Sequence, residues 1–336
     1  MAPVAVVGAG LAGSLLALSL ASRGVGTTLI GIAGNGATGL SYGAMASRSS
    51  ARAWRRLERL HGSLGWHPSR LLLHGWPPPL AWMPLALQSL ATAGVPLSRV
   101  DARELSQQLP LALAAAGVRC LAASVATIRS APQGWQLGLA QGETLEASQL
   151  VLAAGAGCRL LWPALPGRLR FSWAGVLVLD PATLNSLAAS PGWLRHGRGG
   201  GIVQPLRWQR PALEASATTL GEEAWIVDAG LAPWGQALLL GQISLVGPDL
   251  DLRRPPDPAL MEQRLRQGLA RLDPALASLP GHYRQVAVPF CADGQPLAAA
   301  VQGAPGLWAF TGFSGAFSLV PSLAEQLARE LQLALG

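Results

Sequence analysis

Val4-Ala-Val-Val-Gly8-Ala9-Gly10-Leu11-Ala12-Gly13-Ser-Leu-Leu-Ala-Leu18 is the stretch that decides how the rest of the chain is read. Four apolar residues with the composition of a buried strand run into Gly-x-Gly-x-x-Gly, and from there into an apolar stretch of helical composition. That is the strand-turn-helix order of a dinucleotide-binding turn. The three glycines differ in what they do. Gly8 permits the tight turn, Gly10 lets the backbone reach a pyrophosphate, and Gly13 lets the helix lie close against the strand. The phosphates then sit at the positive end of the helix. A bare glycine pattern is common in a chain with 40 glycines, so the flanks decide. Here a strand precedes and a helix follows, and past the stop Arg23-Gly-Val-Gly26 comes a second short strand, Thr27–Ile30. Where such folds place an acid for the ribose hydroxyls, at the end of that second strand, this chain has Gly31.

At 336 residues the chain can hold a large core, as one big domain or two interleaved ones. Half of the residues are apolar and 13% are charged, which excludes a disordered chain. The formal net charge is +7, and all of the positive charge is arginine, since there is no lysine. The arginines are spread along the chain with one dense cluster, so a compositional preference for arginine is favoured over a nucleic-acid groove. Residues 1–22 carry no charged side chain. A signal peptide should open on a basic region, and a membrane span would not follow this strand-turn-helix order, so neither is expected. Cys120, Cys158 and Cys291 are far apart, with no Cys-x-x-Cys and no His at ligand spacing. Neither a disulfide framework nor a metal site is indicated, and a reducing, cytoplasmic compartment is the expectation.

Further along, Gly31–Gly43 is a Gly-rich loop leading to a helix over 47–60, on which Arg48, Arg52, Arg55, Arg56 and Arg59 form a basic face around an apolar one of Trp54, Leu57 and Leu60. Residues 61–84, rich in Trp and Pro, read as irregular. Asp101 caps a helix that runs to Ala116, with Glu104 completing a capping box. A strand at 118–121 precedes three short strands, 124–129, 135–140 and 144–147, which form an antiparallel meander. A separate buried strand, 149–154, then stops at Gly155-Ala-Gly157. From 169 to 246 the pattern is β-rich, with hairpin signals at Gly197-Arg-Gly-Gly-Gly201 and Ala232-Pro-Trp-Gly235. A helix follows over 258–272. The chain ends on a strand, 306–310, the turn Thr311-Gly-Phe-Ser-Gly315 and a helix over 319–335. Nucleotide-binding order at both ends with β-rich material between predicts a discontinuous cofactor domain, 1–60, 100–165 and 290–336, with a substrate domain formed by 61–99 and 166–289.

Four segments in register now resemble one family, the FAD-dependent amine oxidases of the D-amino acid oxidase and glycine oxidase type. Beside the Gly8–Gly13 turn, Ala37-Thr38-Gly-Leu-Ser41-Tyr42-Gly43 is similar to the family's Ala-Ser-Gly-x-x-x-Gly loop next to the flavin. Leu150-Val-Leu-Ala-Ala-Gly155-Ala156 resembles its Val-Val-Leu-Ala-Thr-Gly-Ala strand end. Val288-Pro-Phe-Cys-Ala-Asp-Gly-Gln-Pro296 is similar to its Arg-Pro-x-Thr-x-Asp-Gly-x-Pro segment, and Thr311-Gly312-Phe313-Ser314-Gly315-Ala316-Phe317-Ser-Leu-Val-Pro321 to its C-terminal turn facing the isoalloxazine ring. The resemblance implies an α/β fold: a Rossmann-like, glutathione-reductase-type FAD-binding domain with an inserted β-rich substrate domain. It implies FAD as cofactor, contacted by Gly8, Ala9, Gly10, Leu11, Ala12, Gly13, Thr38, Ser41, Gly43, Ala44, Gly155 and Gly312 to Phe317.

In this family the flavin performs the oxidation and the protein holds the substrate carbon-hydrogen bond over the ring. The implied activity is oxidation of a small amine or amino-acid-like molecule, with oxygen as acceptor. Family members anchor the substrate carboxylate with the Arg of the Arg-Pro segment, and here that position is Val288. Arg284, four residues earlier on the same strand face, is the candidate replacement, and Tyr42, in the flavin-side loop, the candidate pocket wall. The offset of Cys291 from Asp293 does not match that of flavin-linked cysteines, so FAD is expected to be non-covalent. The five histidines have no partners at informative spacing. Two alternatives stay open: a flavin enzyme similar to the tRNA wobble-uridine modification enzymes, and a flavin-fold binding protein that has lost its chemistry.

Overall fold

The computed structural model describes residues 2–32, 34, 36–74, 94–186, 192–206 and 208–336. The chain builds two sheets. In the first, β1 (Ala2–Val7) lies parallel to and between β2 (Thr27–Ile30) and β9 (Thr144–Leu152). β6 (Arg119–Leu121) extends the sheet beyond β2 and β17 (Leu307–Thr311) extends it beyond β9, both parallel to their neighbours. β16 (Leu297–Ala300) closes that edge antiparallel to β17. The apolar run Val4–Val7 is explained by burial on both faces. Val4 and Val6 pack under the helices, while Ala5 and Val7 pack under the hairpin of β7 (Val125–Ala131) and β8 (Gly134–Leu139). The meander's last strand and the buried strand expected after it are one element: β9 is antiparallel to β8 through Ala147 and parallel to β1 through Leu152.

Five longer helices are found among the described residues: α1 (Leu11–Ala21), α2 (Arg48–His61), α3 (Ala102–Ala115), α4 (Pro258–Leu272) and α5 (Ala316–Leu333). Leu15, Leu16, Leu18 and Leu20 of α1 are all fully buried, because α1 is packed between the sheet and α5. That interior position accounts for the uncharged N-terminal stretch. Among the described residues no helix is long and apolar enough to cross a membrane. α2 buries Trp54 and Leu57 against α5, and the Trp54 indole donates to the Phe317 carbonyl at 2.7 Å. Its arginines face outward, with Arg56 paired to Glu325 at 3.2 Å and Arg55 lying over Trp66. Leu60, expected on the apolar face, is exposed in the last turn. α5 starts at Ala316, one turn earlier than the apolar pattern alone predicts.

The second sheet runs in the order β15 (His282–Cys291), β10 (Leu169–Leu179), β14 (Ala237–Val246), β13 (Leu231–Trp234), β11 (Ile202–Pro205), β4 (Trp66–His74), β5 (Val95–Val100) and β3 (Ala44–Met45), with β12 (Ala224–Val227) also paired to β14. It is antiparallel except where β11 meets β4. α4 seats Met261, Leu265 and Leu269 against one face, among Leu177, Leu179 and Leu240. Tyr42 packs with Val176, Val178 and Leu239, which alternate with those residues along the strands.

Three expectations are corrected here. Residues 66–74, read as irregular, form β4, while 75–84 lie outside the described residues. Gly197–Gly201 is not a hairpin turn but the end of a short helix, Gly192–Arg198; the hairpin at Gly235 does form, between β13 and β14. Asp101 caps α3, accepting from the amides of Arg103 and Glu104, but the Glu104 carboxylate turns to His67 at 2.8 Å and leaves the capping box half made. Asp101, 1% exposed, also accepts from Arg99 Nη1 at 3.0 Å and from the Gly235 amide at 2.9 Å. One carboxylate thereby ties the start of α3 to β5 and to the β13–β14 turn of the second sheet.

Candidate cofactor and substrate site

A continuous cavity of about 1570 Å³ runs from the Gly8–Gly13 turn to the second sheet. It exceeds the ~300–1,000 Å³ of an ordinary ligand pocket, leaving room for a dinucleotide and a small second molecule.

At the turn, contact with the backbone dictates the sequence. A Cβ on Gly8, whose φ is 120°, would stand 2.2 Å from the Ala153 carbonyl oxygen, and one on Gly13 would stand 1.9 Å from that of Gly8. Gly10 instead faces the cavity, and the nearest neighbour of a Cβ placed there would be Thr38 Oγ1, at 3.6 Å. The Leu11 amide donates to Thr38 Oγ1 at 3.1 Å, which draws the 37–44 loop onto the start of α1. α1 has neither a side-chain cap nor an acidic residue in its first turn, and the same is true of α5, capped by Gly315 in the left-handed region. Two positive helix ends thus open into one cavity.

Ala9, Leu11, Ala12, Ser41, Gly43, Ala44, Gly155, Phe313, Ser314, Ala316 and Phe317 line this cavity together with Gly8, Gly10, Thr38 and Gly315. Gly13 and Gly312 shape it from behind: Gly312 lies so close to the Cys291 sulfur that a Cβ there would stand 2.5 Å away. The residues fit FAD, with donors and helix ends spaced along a groove whose glycines leave the backbone open. Gly31 fits as well, though not as an acid. A Cβ there would lie 2.6 Å from the Ala9 nitrogen, so the position has no room for a side chain. Among the described lining residues the carboxylates are Glu214 and Asp293. Asp293 accepts from the Gln295 amide at 3.0 Å and from Arg168 at 2.8 Å, which hold its carboxyl below the usual range.

The substrate end is made of side chains. Tyr42 lines it, and its hydroxyl donates to the Gly241 carbonyl at 2.6 Å. Burial, with the charge of Asp228 adding to it, pushes the phenol well above its ordinary value. Tyr42 is therefore a neutral, fully engaged wall residue and has no proton to exchange near neutrality. Val286 and Val288 of β15 line the cavity, whereas Arg284, on the same face, is exposed and is not among the lining residues. Four residues along a strand is ~13 Å, which carries Arg284 past the cavity's end.

A guanidinium does reach the cavity, from an element that the sequence patterns do not reveal. The short helix Arg210–Ser216 follows β11, and Arg210 and Glu214 both line the cavity. Arg210 Nε donates to Glu214 Oε1 at 2.7 Å, and Ser314 Oγ, from the turn before α5, donates to Glu214 Oε2 at 2.7 Å. Asp228 accepts from the backbone amides of Gln209 and Arg210, fixing the start of this helix. Gln204, Gln242 and Gln285 complete the polar lining. In the sequence an Arg and a Glu four apart read as a solvated helical pair, and only the fold buries them. Among the described residues no cluster of His, Cys, Asp and Glu could hold a metal ion.

Comparison with known proteins agrees with this geometry. Glycine oxidase from Geobacillus kaustophilus has a similar structure, at TM-score 0.65 and 19% identity, covering 98% of this chain and 94% of that one. L-amino acid deaminase from Proteus vulgaris is similar at TM-score 0.67 and 14% identity, over 99% and 94% of the two chains. Glycerol-3-phosphate dehydrogenase from Bacillus halodurans, determined in complex with FAD, is similar at TM-score 0.69 and 16% identity, over 100% and 65%. Identities this low speak for the fold alone. Comparison with curated protein sequences gives no match. Residues 84–330, well over half of the chain, match the family described as FAD dependent oxidoreductase, DAO. With a Rossmann-like nucleotide turn, a β-rich second sheet and a cavity that fits FAD, the chain belongs to this DAO family of FAD-dependent oxidoreductases.

Proposed function

We propose that the protein oxidises a small amine or amino-acid-like substrate, with non-covalent FAD as its resident cofactor and oxygen as the final electron acceptor. The observation that carries this reading is the single cavity running from a helix N-terminus that suits a pyrophosphate to a mixed polar and apolar wall on the second sheet. Bound FAD supplies the hydride acceptor, and the protein supplies the rest: position, a dry wall and a fixed set of donors. Val286 and Val288 keep water from one side, and Tyr42, tied to Gly241, gives that side a rigid edge. The second sheet, with α4 on its outer face, is the substrate domain in this reading. Non-covalent binding is supported by Cys291, a buried thiol whose pKa burial raises, which leaves little thiolate to form a flavin link. The similarity to a glycine oxidase and an L-amino acid deaminase supports an amino-acid-like substrate, and three free cysteines fit a reducing compartment such as the cytoplasm.

The test is the visible spectrum of the purified protein, followed by anaerobic addition of a panel of amines and amino acids. A flavin spectrum that bleaches with one of them, and returns in air, is the expected result. A protein that cannot be reconstituted with FAD, or a flavin that no amine reduces, would reject the proposal.

A further inference from the structure

We infer that Arg210 binds the anionic group of the substrate, and that the substrate is therefore an amine bearing a carboxylate rather than a simple amine. The inference rests on the oxidase reading above and narrows it. Arg210 is the single basic side chain among the described residues lining the cavity. Its side chain is 14% exposed, and its neighbour Glu214 is 8% exposed. Burying such a pair is costly unless further hydrogen bonds use the remaining donors and acceptors.

Glu214 meets that condition, with Arg210 on one oxygen and Ser314 on the other. Arg210 does not. Only its Nε edge is used, and among the described residues nothing accepts from Nη1 or Nη2. Nor are those atoms sealed away from solvent. A guanidinium held at one edge with its outer fork open to a cavity is the arrangement that accepts a carboxylate through two parallel hydrogen bonds. The charge balance also fits: Arg210 and Glu214 cancel, and an amino acid zwitterion brings no net charge. Ser314 belongs to the turn at the start of α5, so the chain Ser314–Glu214–Arg210 fixes the anchor relative to the cofactor end of the cavity. Glu214 is a positioning residue in this scheme, acting through Arg210. Position 288, where the resemblance placed this guanidinium, and Arg284, its candidate substitute, contribute apolar wall and exposed surface respectively.

The test uses the FAD-loaded protein titrated by calorimetry with isovalerate and with isovaleramide, equal in shape and different in charge. Isovalerate should bind at least about tenfold more tightly than the amide, and Arg210→Met should weaken isovalerate about 100-fold with amide binding unchanged, as expected for loss of a charge-assisted pair. Arg210→Lys keeps the charge without the fork and should weaken isovalerate about tenfold, which serves if the Met variant does not fold. Glu214→Gln should raise KM for the amine substrate about tenfold with kcat little changed, whereas a merely structural role would lower FAD content and kcat together. Equal binding of the two probes by the unmodified protein, or undiminished isovalerate binding by Arg210→Lys, would overturn the inference. If amines reduce the flavin without preference for a carboxylate, the anchor alone fails. If isovalerate binds selectively but no amine reduces the flavin, the anion site stands and the oxidase reading fails.

Discussion

The two ends of the cavity are built from opposite materials. At the nucleotide end the groups offered to a phosphate are backbone: the Gly8–Gly13 turn and the starts of α1 and α5, neither of which has a side-chain cap. At the other end the wall is made of side chains, Tyr42, Gln204, Arg210, Glu214, Val286 and Val288, contributed by separate segments of the chain. A backbone site constrains which residues can stand in it, because any side chain would collide. A side-chain site constrains only where distant residues meet. The first kind is rigid toward substitution and readable in the sequence. The second is tolerant and readable only in the fold.

The largest effect should come from adding a side chain at the backbone end. Gly13→Val places a Cβ only 1.9 Å from the Gly8 carbonyl oxygen. Strand and helix would have to part, and the purified variant is expected to retain no FAD and to melt well below the parent. Retention of a flavin spectrum by this variant would erase the distinction between the two ends.

Next in size is the joint that holds the ends together. Asp101→Ala removes the acceptor for Arg99 Nη1, for two amides of α3 and for the Gly235 amide, leaving a buried guanidinium with the Gly200 carbonyl on its Nε and no carboxylate to balance its charge. The expected loss is about 3–5 kcal/mol of unfolding free energy, measured by urea denaturation of the holoprotein. A loss under about 1 kcal/mol, the worth of a lone cap, would mean that Arg99 finds another partner.

This contrast also explains what the sequence could reveal. Gly8 and Gly13 are legible because close backbone contact admits little but glycine there, and Gly155, Gly312 and Gly315 because each takes a left-handed backbone, with φ of 59°, 81° and 83°. The strand β4 is not legible, since its Trp- and Pro-rich sequence reads as irregular, yet Pro68 is accommodated opposite Ser98 of β5, in the part of β4 that lies before its pairing with β11 begins at Leu71. β9 reads as two strands because its polar middle, Ser148-Gln149, marks the place where its partner along one edge changes from β8 to β17, while β1 pairs along the other. Arg284 has the correct face and the wrong distance, while Arg210 has the right place and a sequence context that reads as surface. Parity along a strand can be inferred from residue numbers, but which strand passes over the cavity cannot.

Gly31 sharpens the comparison, because it is a site where the usual side chain of the nucleotide end has been replaced by backbone. If the absent acid were a simple loss, Gly31→Glu should restore it and tighten FAD. The contact of 2.6 Å between a Cβ there and the Ala9 nitrogen predicts the reverse, a weakening of at least about tenfold in FAD affinity, about 1.4 kcal/mol, read by titrating the apoprotein. Tighter binding would show that the turn yields easily and that Gly31 is not part of its packing.

The smallest effect belongs to Tyr42, at the tolerant end. Tyr42→Phe deletes one hydrogen bond, to the Gly241 carbonyl, and leaves the ring in its packing among Val176, Val178 and Leu239. The loss should be about 1 kcal/mol, perceptible as a lowered melting temperature, with kcat changed little because the hydroxyl is already engaged. The pH dependence gives the sharper reading. Burial raises the folded-state pKa above the ordinary value of 10.0, so below that pH folded and unfolded chains both hold the proton and Tyr42 adds no slope. Above it the unfolded chain releases the proton while the folded one keeps it, so stability falls as pH rises. Tyr42→Phe should flatten part of that alkaline fall. A change instead in the kcat profile near neutral pH would mean that the hydroxyl leaves Gly241 and takes part in the reaction, making Tyr42 a catalytic group rather than a wall.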